Sequence, residues 1–127
     1  MKIQYASDLH LEFTPNFNLV KSIPFEAAGD VLVLAGDIGY LHERKTYETR
    51  FWKWASENYK QVLIIPGNHE FYGHGDVLAR GDSWSHEIRH NVHYYQNKVV
   101  RIENTDFILS TLWSHITHRD EYFVSRG

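Results

Sequence analysis

The chain has 127 residues, 43% of them hydrophobic and 15% aromatic, with a formal net charge of −3 and no cysteine. This length and composition suit one folded domain over residues 1–127 and exclude a disordered chain. Without cysteine there are no disulfides, thiolate nucleophiles or cysteine-bound zinc sites.

The charges are scattered and form no basic stripe for a phosphate backbone, so nucleic acid is expected only as a substrate. No apolar run approaches the ~18–20 residues that span a bilayer, so no membrane association is expected. No signal-peptide pattern opens the chain, and a cytoplasmic setting is the expectation.

Lys2-Ile3-Gln4-Tyr5-Ala6 alternates as a strand and runs into Ser7-Asp8-Leu9-His10. Residues 11–29, punctuated by Pro15, Asn16, Asn18 and Pro24, read as an irregular loop. Val31 to Ala35 is continuously apolar, the pattern of a strand buried on both faces, and Gly36 permits a tight turn that presents Asp37. Thr46 to Tyr59 reads as an amphipathic helix, with Tyr47, Phe51, Trp54 and Ala55 on one face and Asn58 as a stop signal.

Val62-Leu63-Ile64-Ile65 is a third strand, ending in Pro66-Gly67-Asn68-His69-Glu70. Strand, helix, strand implies a crossover and parallel neighbours, so the three strand ends converge on one edge of the sheet. Further on, short helices are expected at Asp76–Arg80 and Ser83–Arg89. Strands are expected at Val92–Tyr95, Val99–Ile102 and Phe107–Trp113, with a turn at Asn104-Thr105-Asp106.

Each strand thus ends in side chains of the kind divalent metals take. Asp-x-His and Gly-Asp are common separately. In this order, about thirty residues apart and each after an apolar strand, Asp8-Leu9-His10, Gly36-Asp37 and Gly67-Asn68-His69-Glu70 are specific. On these motifs the chain resembles the calcineurin-like metallophosphoesterase superfamily. They correspond to the first three of its five blocks, and the resemblance covers residues 1–75 best. Ser110-Thr111-Leu112-Trp113-Ser114 resembles, less specifically, a later strand of some bacterial and phage members.

The resemblance implies an α/β fold, the N-terminal half of an αββα sandwich with a mixed sheet and flanking helices. It implies hydrolysis of a phosphate ester, monoester or diester, with two divalent metal ions (Mn2+, Fe2+ or Zn2+) as cofactors. Asp8 and His10 would bind the first ion, Asp37 would bridge both, and Asn68 would bind the second. His69 would meet the substrate as the catalytic group, and Glu70 would orient His69. The chemistry is consistent, because paired divalent ions clamp a phosphate ester and lower the pKa of bound water.

The last two family blocks, which supply three further histidine ligands, have no counterpart in the sequence. Family members are roughly twice as long, with two sheets face to face. About one sheet is therefore expected here, with an apolar face open to a second copy, another chain or a missing C-terminal half. The ending Val124-Ser125-Arg126-Gly127, in no clear capping context, favours a fragment or pairing. The alternative to catalysis is a non-catalytic binding module with a partial metal site.

His42, His74, His86, His90 and His93 read as surface residues, with His74 the best placed to line the site. His115 and His118 are candidates to replace missing ligands. Trp52, Trp54, Trp84 and Trp113 read as packing residues.

Overall fold

The computed structural model of the protein describes residues 1–16, 18, 25–39, 41, 49–71 and 82–112. Three parallel strands, β1 (Ile3–Ala6), β2 (Val31–Leu34) and β3 (Gln61–Ile64), lie side by side in that order. The helix α1 (Thr49–Asn58) connects β2 to β3. Its expected start at Thr46 lies outside the described residues. Beyond β3 comes β5 (Val92–Gln96), also parallel, and then β4 (Trp84–Arg89), antiparallel at the edge.

The register pairs Tyr5 with Val33 and Val33 with Leu63, so successive side chains alternate between two faces. One face presents Leu32, Leu34, Val62, Ile64, Val92 and Tyr94, which pack with Phe51, Trp52 and Ala55 of α1. Each such side chain contributes roughly 1.5–3 kcal/mol by leaving water. Trp52 is more deeply buried than Trp54, so the apolar stripe of α1 is rotated slightly from its sequence reading.

The other face, through Val31 and Leu63, packs against Phe107 and Leu109. These belong to an antiparallel ribbon, β6 (Lys98–Ile102) with β7 (Thr105–Leu109). The second face is therefore partly covered, where a single open sheet was expected. Uncovered apolar groups persist among the described residues, at Tyr5 on β1 and at Val99 and Ile108 on the ribbon's outer side.

The stretch Ser83–Arg89, expected as a helix, is the strand β4. Its burial alternates from Trp84 inward to Ser85 outward, and its partner β5 supplies the ladder that the local sequence does not advertise. The ribbon turns at 103–104, where Glu103 has φ 55°, one residue earlier than expected, and β7 ends at Leu109. Asp76–Arg80 lies outside the described residues. Within residues 11–29, 14–16 and 18 are helical, and the rest that is described is irregular. No described helix is long and apolar enough to cross a membrane.

Candidate metal centre

Because β1, β2 and β3 are parallel, the segments following Ala6, Leu34 and Ile64 leave the same edge of the sheet. The first two run on side by side after the strands end. The amide of Asp8 donates to the carbonyl of Gly36 (2.9 Å), that of His10 to Asp37 (3.0 Å) and that of Leu11 to Ile38 (2.7 Å). Backbone pairing thus holds Asp8, His10 and Asp37 in place before any side-chain contact is counted.

Asp8, His10 and Asp37 all have left-handed backbones, with φ of 59°, 49° and 55°. A non-glycine residue with such a φ stores about 1–2 kcal/mol, and three close together mark a site whose geometry the surroundings impose. Gly36, at φ 94°, and Gly67 make the approach of the second and third segments possible. A Cβ on Gly67 would lie 2.7 Å from the amide nitrogen of Asp37.

Glu70 locks the arrangement from beneath. It is fully buried, and its carboxylate accepts hydrogen bonds from the amides of Asp37 (3.0 Å), Ile38 (3.0 Å) and Gly67 (3.2 Å). Burial pushes its pKa up to about 7, partly opposed by the Ile38 amide and reinforced by the neighbouring Asp37 charge. The carboxylate therefore joins the second and third segments, whereas the role expected of it, orienting His69, falls to a residue that contacts the ring itself.

That residue is Glu12, whose side chain is 1% exposed. Its Oε1 lies 2.9 Å from Nδ1 of His69 and 3.1 Å from Nδ1 of His10. The two imidazoles stand edge to face, centroids 4.4 Å apart, and the half-exposed ring of Phe13 stacks on His10 at 5.8 Å. A signal for Glu12 was present as Asp8-x-His10-x-Glu12, three polar groups at alternate positions. It was unreadable without knowing that the chain stays paired beyond the strand.

The carboxylates of Asp8 and Asp37 and a ring nitrogen of His10 have ligand atoms within 4.8 Å of one another. Mixed carboxylate and imidazole donors suit first-row divalent ions, so these residues fit the metal the motifs imply. On the third segment, the amide of His69 donates to Oδ1 of Asp37 (2.9 Å), and the backbone carbonyl of Asn68, next to it, accepts from Phe71 (3.1 Å). Thr111, just past β7, donates its hydroxyl to the carbonyl of Pro66, bringing the resembling stretch after Leu109 against the third motif. His86, His90 and His93 lie on β4, the β4–β5 turn and β5. His42, His74, His115, His118 and Trp113 lie outside the described residues.

A mixed α/β sheet with metal-type donors gathered at the carboxyl edge of its parallel strands is consistent with a metallophosphoesterase-type fold. The family model for calcineurin-like phosphoesterases matches residues 1–126, and the chain belongs to that family. An uncharacterized protein of Acanthamoeba polyphaga mimivirus is 26% identical over 138 aligned positions, which cover 98% of this chain and 49% of that protein. The chain thus spans about half the length of this curated relative. No solved structure matches the chain.

Proposed function

We propose that the chain carries a dinuclear metal site that hydrolyses phosphate esters. The observation supporting this most directly is the convergence of Asp8, His10 and Asp37, each with a left-handed backbone, to ligand-atom separations within 4.8 Å. In this reading Asp8 and His10 hold one ion, Asp37 is shared, and Asn68 serves the other through its side-chain oxygen. Bound divalent ions would supply charge to clamp the phosphoryl oxygens and would acidify water.

The chain's own residues do the rest. Asp37 is fixed by the His69 amide on its carboxylate. Glu70 prevents the second and third segments from separating. His69 faces the ester, steadying the phosphoryl group or protonating the leaving oxygen. Mn2+, Fe2+ or Zn2+ would suit these donors, and the ester would be a monoester or a diester. A cysteine-free chain suits a cytoplasmic setting.

The second reading is a non-catalytic module that holds a partner through its sheet. Outward-facing Tyr5, Val99 and Ile108 favour it, because such side chains invite a covering surface.

Hydrolysis of p-nitrophenyl phosphate and bis-p-nitrophenyl phosphate with added Mn2+, alongside elemental analysis, separates the two. Turnover by a protein with close to two metals per chain, lost in Asp37→Asn, is the expected result. Metal-independent folding with no turnover of either ester would leave the module.

A further inference from the structure

One carboxylate oxygen meets two histidines. Oε1 of Glu12 is within hydrogen-bond distance of Nδ1 of both His10 and His69, while Oε2 is buried without a partner among the described residues. A protonated carboxyl could donate to only one of the two rings through that oxygen. At least one imidazole must therefore donate its Nδ1–H to Glu12, and two donors satisfy the arrangement with no proton on Oε1. A neutral imidazole that donates through Nδ1 carries its lone pair on Nε2, the form a ligand such as His10 needs, while an imidazolium carries a proton there, the form a proton donor such as His69 needs.

For His10, Nε2 is the nitrogen on the Asp8 side, 3.7 Å from Asp8 Oδ1. Histidine ligands commonly donate their second ring N–H to a carboxylate, which sets the ring's angle and raises its basicity. The 2.9 and 3.1 Å contacts are also hydrogen-bond lengths. Ligands around one tetrahedral ion at about 2.0–2.1 Å would stand about 3.3 Å apart.

We infer that Glu12 is a shared positioning residue, accepting an Nδ1–H from His10 and from His69 and so aiming both Nε2 atoms at the site. This rests on the reading of the site proposed above, and it adds a mechanical link between the metal side and the substrate side. A displacement of Glu12 would misalign the ligand and the catalytic histidine at once.

The test begins with metal-free, 15N-labelled full chain, in which long-range 1H–15N correlation spectra assign the protonated nitrogen of each histidine. Both His10 and His69 are expected as Nδ1–H. Finding His69 without a proton on Nδ1 overturns the proposal, and this measurement needs no variant. In Glu12→Leu the Nδ1–H preference should disappear from both rings, Mn2+ affinity should fall about 10–100-fold at unchanged stoichiometry, and kcat should fall more than KM rises. Glu12→Gln, which keeps an acceptor oxygen, should recover part of each loss.

Retention of both tautomers in Glu12→Leu would overturn the proposal. So would outright loss of a metal equivalent in Glu12→Gln, which would make Glu12 a ligand. Correct tautomers in a protein that turns over neither ester would sink the phosphoesterase reading and leave the positioning role standing.

Discussion

The two ends of the same parallel sheet are built on opposite principles. At the amino end, every polar group named is answered by an ordinary partner. Asp30 accepts from the amide of Lys2 through its side chain (2.9 Å), its own amide donates to the Lys2 carbonyl (2.8 Å), and its carbonyl accepts from Lys60 (2.8 Å). The Lys2 amide holds the Asp30 carboxyl below the usual carboxylate range. Buried Asn91 closes α1 onto β5, accepting from the Ser56 hydroxyl (2.6 Å) and donating to the carbonyls of Ser56 and Tyr59 (both 2.9 Å).

The carboxyl end carries the left-handed backbones of Asp8, His10 and Asp37, a buried glutamate pushed up to about 7 and another glutamate with an oxygen unanswered among the described residues. One end ties the fold together and the other concentrates backbone strain, the pattern expected where function competes with stability. Substitutions at the two ends should therefore separate activity from stability.

The largest effect is expected from Asp37→Asn. Metal-dependent hydrolysis should fall at least roughly a thousandfold, about 4 kcal/mol in barrier terms. The melting temperature of the metal-free protein should not fall, because the variant removes a charge beside Glu70 and keeps an oxygen for the His69 amide. Activity assays and thermal melts on one preparation check both halves.

Asn91→Ala should do the reverse. It removes three hydrogen bonds and strands two carbonyls near the end of α1, a loss of about 2–3 kcal/mol. Urea denaturation should show the lower midpoint, and Mn2+ affinity should not move.

Saturating metal sharpens the contrast from the ligand side. At about 100 times its Kd, Mn2+ should stabilise the wild-type chain by about 2.7 kcal/mol and Asp37→Asn by much less. Asn91→Ala should gain the full increment, because its lesion lies at the far end of the sheet. A uniform gain in all three proteins would mean that the metal binds elsewhere.

How much of this was legible in the sequence differs between the ends. The site end announced itself, because apolar strands ending in Asp-x-His, Gly-Asp and Gly-Asn-His-Glu state both topology and chemistry. Missing there was what pairing beyond the strands creates. Glu12 enters the site only because Leu11 bonds to Ile38, and Glu70 is consumed by amides of residues more than thirty positions away.

The amino end was nearly silent. Nothing in the sequence singles out Asn91, whose grip on α1 follows from where β5 starts. Gln4 reads as the wet side of a strand. The strand β4 was misread because its evidence lies in the partner β5, and short polar alternation such as Ser85-His86-Glu87 does not distinguish strand from helix.

Gln4 offers the finest test of the contrast. Its side-chain oxygen accepts from the Ala28 amide (2.8 Å) and from the Tyr59 hydroxyl (2.6 Å), and its amide group donates to the Glu26 carbonyl (3.0 Å). Burial raises the pKa of Tyr59, so its hydroxyl keeps the proton it donates. Tyr59→Phe deletes one donor and leaves Gln4 Oε1 still answered by Ala28, while the aromatic ring stays packed against Trp54. The loss should therefore be only about 0.5–1 kcal/mol, well below that of Asn91→Ala, because no buried polar atom is left without a partner. Gln4→Leu should lose more than Tyr59→Phe, since it removes all three of these hydrogen bonds and leaves the part-buried Tyr59 hydroxyl without this acceptor. Equal losses in chemical denaturation would show that the Tyr59 bond alone ties β1 to the end of α1, and that the loop before β2 contributes nothing to the amino end.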